Sequence, residues 1–205
     1  MSGARVHGLF AIPVMVSEAE YALDGEARKV IDTQETLPNR GGSRYSKNTY
    51  ILALPELQGL KNFLQTQLEI YAHDLLKINR ETKFCITQSW LNYSERGAQH
   101  LTHYHPNSLV SGSFYIAGDI CPIRFQRRDP ILGRAFMFRY DEPNIFNGGA
   151  FDVPNEKNKA VLFPSAVEHS VVPNPSGQVR ISLAFNTFFK GPAGPREDLA
   201  ELIIN

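Results

Sequence analysis

The chain has 205 residues, and its 21 lysines and arginines are matched by 21 aspartates and glutamates, so the formal net charge is zero. That balance argues against a dominant nucleic-acid or membrane surface, and the local run of Arg124, Arg127, Arg128, Arg134 and Arg139 is ordinarily explained as a solvated face. Cys85 and Cys121 are not in a Cys-x-x-Cys arrangement and read as reduced thiols, and the length suits one domain with a substantial core.

Val6 to Val16 is apolar and β-branched, which predicts a first strand, interrupted at Pro13 and therefore at a sheet edge or a bend. No basic segment with a long apolar run opens the chain, so no signal peptide is expected. No stretch approaches the roughly eighteen apolar residues of a spanning helix, and a cytoplasmic location is the expectation. Ser17 with Glu20 three residues on resembles a capping box and predicts a short helix within Ser17–Ile31. Thr33 to Asn48 is polar and turn-rich and reads as a loop. Lying over a site mouth, it would bring Arg44, Tyr45 and Lys47 to a substrate; a plain surface loop is the alternative.

Tyr50–Leu54 reads as a short strand. Pro55 to Asn79 has the strongest helical pattern, with Leu57, Leu60, Leu64, Leu68, Tyr71, Leu75 and Ile78 at three- and four-residue steps. His73 falls off that stripe and is expected in solvent. From Lys83 the pattern turns to strands: Phe84–Asn92, with the only tryptophan, Trp90; a histidine-bearing segment; Val110–Ala117; and Ile123–Phe125 pairing beside it. Arg127–Pro154 is rich in Gly, Pro and Asn, with Phe136-Met137-Phe138 as an apolar island, and reads as an insertion shaping substrate access. Ala160–Phe163, Ser170–Val172 and Val179–Phe188 read as further strands, and Arg196–Ile203 as a short terminal helix. Helices first and short strands after predict a β-sandwich or barrel buttressed by helices.

Two stretches carry the chemistry. Gln99–Ile116 holds His100, His103 and His105, and Leu162–Asn186 holds His169, Arg180 and Ser182. On an extended segment residues i and i+2 share a face, so His103 and His105 project together with Tyr104 opposite. Two imidazoles so placed make half of a site for Fe, Zn, Cu or Ni. A third ligand from a distant strand would leave coordination positions open, as catalysis needs. The plain alternatives are a polar loop role for His100 and a hydrogen-bonded core role for His169. Arg180 sits among Val179, Ile181, Leu183 and Phe185. A guanidinium there needs an anion, either a protein carboxylate or that of a ligand.

The motifs H-x-H-P-N-S-x-x-S-G-x-x-Y and F-P-S-x-x-x-H-x-V-x-P-N…R-I-S-x-A-F-N resemble the 2-oxoglutarate- and Fe(II)-dependent oxygenases. They are particularly similar to a branch with many members from phages and marine bacteria. The resemblance spans about Trp90–Phe189 and implies a mainly β fold, a double-stranded β-helix (jelly-roll, cupin-like) core with flanking helices. On it, residues 1–205 form a single domain, 1–82 supplying the N-terminal strand and buttressing helices and 83–190 the core. It implies His103 and His169 as iron ligands, Arg180 with its neighbour Ser182 for the far carboxylate of 2-oxoglutarate, and Tyr115 as a co-substrate tyrosine. The implied activity is hydroxylation of an unidentified substrate with dioxygen and 2-oxoglutarate, in a cell's cytoplasm or that of a phage host.

One position departs from the pattern. His105 stands where most of the superfamily has Asp or Glu. A triad of His103, His105 and His169 is favoured, with His100 and Asn107 as other occupants of the carboxylate position. A rival resemblance is to three-histidine cupin dioxygenases, which need no co-substrate. Gly97 and His103-Tyr104-His105 match the start of their first motif, and Pro164 and His169 part of the second, but Leu109 and Val110 stand where its glutamate belongs. A non-catalytic jelly-roll binding or structural module is the third alternative. Arg180 discriminates, because the rivals need no diacid clamp.

Overall fold

The computed structural model describes residues 3, 5–119, 121–127 and 138–204. Arg128, Arg134, Phe136 and Met137, named above, lie outside them. The strands are β1 (Met15–Val16), β2 (Thr36–Pro38), β3 (Arg44–Ser46), β4 (Lys83–Ser94), β5 (His100–His103) and β6 (Val110–Ala117). They continue as β7 (Ile123–Gln126), β8 (Ala150–Val153), β9 (Ala160–Pro164), β10 (His169–Val171), β11 (Arg180–Ala193) and β12 (Leu202–Ile204). Eight form a major sheet in the order β1-β9-β6-β11-β4-β3-β2, with β12 on β11, and a minor sheet runs β5-β10-β7-β8. This is the expected mainly β jelly-roll with flanking helices.

The long strands divide their residues between two jobs, because side chains alternate faces. On β11, Ile181, Leu183 and Phe185 enter the main core, while Arg180, Ser182, Ala184 and Asn186 face a cavity. On β4, Leu91 and Tyr93 point to the core, and Gln88, Trp90 and Asn92 to the cavity. On β6 and β9, Phe114, Ile116, Ala160 and Leu162 enter the main core, and Tyr115, Val161 and Phe163 join a smaller cluster with Ile123 and Phe125 of the minor sheet.

The helices cover the major sheet's other face. Helix α2 (Gln58–Glu69) is preceded by 3-10 turns at Ile51–Ala53 and Pro55–Leu57 and followed by a π-helical turn at Ile70–Leu75. Its stripe of Leu57, Leu60, Leu64, Leu68 and Tyr71 is buried. Each such side chain contributes about 1.5–3 kcal/mol of transfer free energy.

Several sequence expectations are corrected. The first helix, α1, is Gly25–Asp32, capped by Asp24, whose carboxylate accepts from the Ala27 amide at 2.8 Å. Ser17 instead accepts from the amide of Ala160 beside the β1–β9 pair. Only Met15 and Val16 of the apolar N-terminal run pair as a strand, and they do so at a sheet edge. The π-helical turn shifts the helix phase by one residue. His73 is therefore buried, its ring 3.0 Å from the Ile78 carbonyl, and Leu75 is exposed. The polar segment after α1 is a β2–β3 hairpin. Ile123–Gln126 joins the minor sheet, not β6. The C-terminus ends in a strand on β11 rather than a helix.

Candidate metal centre

The two chemistry-bearing stretches meet between the sheets. His103 ends β5 and His169 begins β10, and the two are directly opposite in the antiparallel register. Their ring centroids are 4.4 Å apart. His105 lies just past the end of β5, its backbone amide donating to the Ser165 carbonyl at 2.9 Å, and its ring is 5.2 Å from His103 and 5.1 Å from His169. One ring nitrogen from each of the three lies within 4.8 Å of the other two.

All three rings are held in one protonation pattern. Nδ1 of His103 is 2.7 Å from the Leu101 carbonyl, Nδ1 of His169 3.0 Å from the Val167 carbonyl, and Nδ1 of His105 2.7 Å from Asn186 Oδ1. Each partner is an oxygen that only accepts, so each Nδ1 carries the proton and each Nε2 keeps its lone pair. Asn186 Oδ1 also accepts from the Ser111 hydroxyl at 2.9 Å, which is bonded in turn to Ser165. Such second contacts orient metal-binding imidazoles.

Burial keeps His105 and His169 neutral. His169 is 5 % exposed and His105 9 %. Desolvation lowers the pKa of His105 to about 4 and of His169 to about 3, with hydrogen bonds to Asn186 and the Val167 carbonyl opposing and neighbouring histidines reinforcing the shift. Trp90 stacks on His105 at 5.8 Å, and Phe163 stands edge-on to His169 at 4.6 Å. The donor set suits a borderline divalent ion such as Fe, Zn or Ni. His103 is exposed, leaving one side of the cluster open to the cavity.

Arg180 forms the other pole. It is 3 % exposed, and its hydrogen-bond partners are neutral: Ser94 Oγ at 3.1 Å and the Val172 carbonyl at 3.5 Å. No carboxylate pairs with it among the described residues. A buried, unmatched guanidinium costs several kcal/mol, so it calls for an anion from outside the chain. Ser182 and Tyr115 face each other across β11 and β6 and line the same cavity. Burial pushes the Tyr115 hydroxyl well above the usual tyrosine range, so it stays protonated and able to donate. Gly118, at φ +98°, follows β6, and a Cβ there would lie 2.6 Å from the Arg180 Cα. The close approach that seats Arg180 needs glycine.

The cavity is about 660 Å³, within the usual range for small-molecule sites. His100 is not in the imidazole cluster. It lies at the Arg180 end, Nε2 3.4 Å from Ser94 Oγ, and burial followed by Arg180 and His103 lowers its pKa to about 4. Asn107 lines the cavity as well. Arg44 pairs with Glu95 and Lys47 with Glu35, and none of Arg44, Tyr45 and Lys47 lines the cavity; Asn39 and Arg40 do. No described residue of 127–154 lines it.

Residues 88–186 match the family model described as "Putative 2OG-Fe(II) oxygenase", a span that begins on β4 and ends at Asn186. Over that span, just under half of its length, the chain is similar to the 2OG-Fe(II) oxygenase superfamily. Fe(II) and 2-oxoglutarate are the cofactors that define this superfamily. Solved structures with the same fold include a prolyl-4-hydroxylase from Pseudomonas putida, 19% identical with TM-score 0.55 over 87% of this chain and 94% of that one. Another is the alpha-ketoglutarate-dependent epimerase SnoN from nogalamycin biosynthesis, 14% identical with TM-score 0.57 over 83% and 74%. A third is HygX from Streptomyces hygroscopicus, solved with nickel, 2-oxoglutarate and hygromycin B, 11% identical with TM-score 0.54 over 86% and 82%. No curated protein matches the sequence.

The residues missed from the sequence are Asn186, Ser94, Asn39 and Arg40. Asn186 was within reach, since it lies six residues past Arg180 on the same face of the strand. No helix among the described residues is long and apolar enough to cross a membrane.

Proposed function

We propose that the chain is a non-haem Fe(II), 2-oxoglutarate-dependent dioxygenase acting as a hydroxylase. The observation that carries this is one cavity holding three convergent imidazoles and a buried guanidinium that has no carboxylate partner among the described residues. His103, His105 and His169 hold the metal. The Leu101 and Val167 carbonyls and Asn186 keep the three rings turned with Nε2 inward. Arg180 receives the distal carboxylate of 2-oxoglutarate, with the Ser182 and Tyr115 hydroxyls beside it. Bound there, the ion would activate dioxygen, which is the oxidant: one oxygen atom would enter 2-oxoglutarate as it decarboxylates to succinate, and the other would be inserted into a substrate C–H bond.

The protein's own share is position and exclusion of water. Phe163, Phe125 and Trp90 wall the imidazoles. The open side at His103 faces the rest of the cavity, where the prime substrate sits. A triad without a carboxylate leaves the ion's two positive charges uncompensated by its protein ligands, a feature shared with three-histidine cupin dioxygenases. Arg180 favours the co-substrate-dependent reading, because those enzymes have no diacid to clamp.

The test is an anaerobic Fe(II) titration with and without 2-oxoglutarate. A visible metal-to-ligand charge-transfer band is expected only when both are present. Saturable Fe(II) binding that 2-oxoglutarate does not perturb would replace this reading with the cupin one. No retained metal would leave a non-catalytic module.

A further inference from the structure

The cavity has more room than a metal and a small diacid occupy, and its rim has a distinct chemistry. Among the described residues, no aspartate or glutamate lines it. Its charged lining residues are Arg180 on the floor and Arg40 at the exposed rim. The rest of the polar lining is neutral, with Asn39, Thr87, Gln88, Asn92 and Asn107 offering amides and a hydroxyl.

Arg40 is held at that rim by a built turn. The β2–β3 hairpin folds back so that the Gly41 carbonyl accepts from the Gln99 amide at 2.9 Å, just before β5. Gly41 has φ +80°, and a Cβ there would lie 2.5 Å from the Gln99 oxygen. Asn39 Oδ1 accepts from the Arg40 amide at 2.8 Å, and the Asn39 amide donates to the Ser43 carbonyl at 2.8 Å. The hairpin's other cations are neutralised by protein carboxylates outside the cavity, Arg44 by Glu95 and Lys47 by Glu35. Arg40, which faces the cavity, has no ion pair among the described residues.

We propose that the outer part of this cavity takes an anionic prime substrate, whose carboxylate or phosphate is held by Arg40. The proposal rests on the Fe(II)/2-oxoglutarate reading of the inner part. With three neutral imidazoles around a dication, the ion and two guanidiniums outweigh one 2-oxoglutarate dianion by two positive charges. Low-dielectric walls focus such a field and raise the local concentration of anions. A planar guanidinium grips either oxyanion through two hydrogen bonds.

Trp90 is the only tryptophan and lines the cavity against His105, so its fluorescence reports occupancy. The protein loaded with Mn(II) and saturating 2-oxoglutarate is titrated with benzoate, phenyl phosphate and the neutral isostere benzamide. At least one anion is expected to bind saturably and about tenfold or more tighter than benzamide, as expected for a charge-assisted contact. The tighter anion names the group. Arg40→Gln should bring the anions to the level of benzamide without changing 2-oxoglutarate affinity, and Arg40→Lys should recover part of the preference. Gly41→Ala, which displaces the hairpin, should mimic Arg40→Gln.

Benzamide binding as tightly as both anions, an anion preference that survives Arg40→Gln, or no saturable response to either anion would each overturn the proposal. Failure of 2-oxoglutarate to bind the Mn(II) protein would instead overturn the reading of the inner site. The two failures are read separately.

Discussion

Arg180→Met separates the energetics of folding from those of co-substrate binding. In the free protein, Arg180 is buried with two neutral oxygen contacts and no counter-ion among the described residues. Replacing a buried ionic group by an apolar one of similar length is often neutral or stabilising by about 1–4 kcal/mol. Without 2-oxoglutarate, the variant should therefore unfold in urea at a concentration equal to or above that of the wild type. With 2-oxoglutarate the wild type gains more than the variant. Truncating one member of a buried, hydrogen-bonded charge pair costs about 2–5 kcal/mol, so the dissociation constant should rise by at least about thirtyfold. At a ligand concentration one hundred times the wild-type Kd, linkage stabilises the wild type by about 2.7 kcal/mol and the variant by about 1 kcal/mol or less. The assay is urea unfolding of the Mn(II) protein followed by circular dichroism, with and without 2-oxoglutarate. A variant that is clearly less stable without ligand and keeps the full ligand-dependent shift would show that Arg180 is a structural residue, and the clamp assignment would fail.

Asn186→Ala removes the acceptor for His105 Nδ1–H, and loss of such a contact typically lowers metal affinity about 10–100-fold. Co(II) titration of the apo protein measures it, Asn186→Asp should restore tight binding, and affinity within twofold of wild type in the alanine variant would remove His105 from the ligand set. For the metal-free protein, His100, His105 and His169 are held below their unfolded pKa of 6.5, to about 4, 4 and 3. The unfolded chain thus binds more protons below pH 6.5, and stability falls as pH drops from about 6.5 towards 4, by at most about 1.4 kcal/mol per unit for each imidazole. His100→Gln should make that slope shallower without altering Co(II) affinity; an unchanged slope in urea midpoints between pH 7 and 5 would contradict the assignment. Gly118→Ala forces a side chain against the Arg180 backbone in a left-handed conformation, a strain of about 1–3 kcal/mol. It should lower the thermal midpoint and weaken 2-oxoglutarate binding measured by calorimetry together, and a stability loss with unchanged co-substrate affinity would show that the turn does not seat Arg180.

The fold class was legible because alternation is a local property. The strand that opens with Val-Arg-Ile-Ser-Leu-Ala-Phe-Asn carries apolar and polar residues on separate faces, and its burial follows that division. The imidazole pair was legible for the same reason. What alternation leaves open is which sheet a short strand joins, because that depends on partners distant in sequence. Ile123–Phe125 has the same apolar pattern beside either β6 or β10, and the structure pairs it with β10. His73 was misplaced because an ideal helical period was carried through a π-helical turn that the pattern does not signal. Arg40 was missed because a polar hairpin carries no periodicity, and its position depends on a contact with Gln99 well over fifty residues away in sequence.

The same two-faced strands explain how a demanding site survives in a small chain. Ser182 on β11 and Asn92 on β4 are flanked in sequence by Ile181, Leu183, Leu91 and Tyr93, which enter the core that α2 shares. The helix layer thus fixes the strands from the side away from the chemistry, and the cavity side need not supply cohesion. Register is what joins the two functions. A slip of one residue would turn Arg180 and Ser182 into the apolar core and Ile181 and Leu183 into the cavity. The irregularity between Asn186 and Thr187 in the β11–β4 pairing falls where the cavity face ends. Beyond it Thr187 is fully buried and bonds the Val110 carbonyl, so the bulge switches the strand from lining the site to anchoring the segment that follows the histidines. Asn186, the last residue before that switch, is the one that holds His105. The orientation of the third imidazole is therefore tied to the register of the longest strand described, although His105 itself lies just past the end of β5.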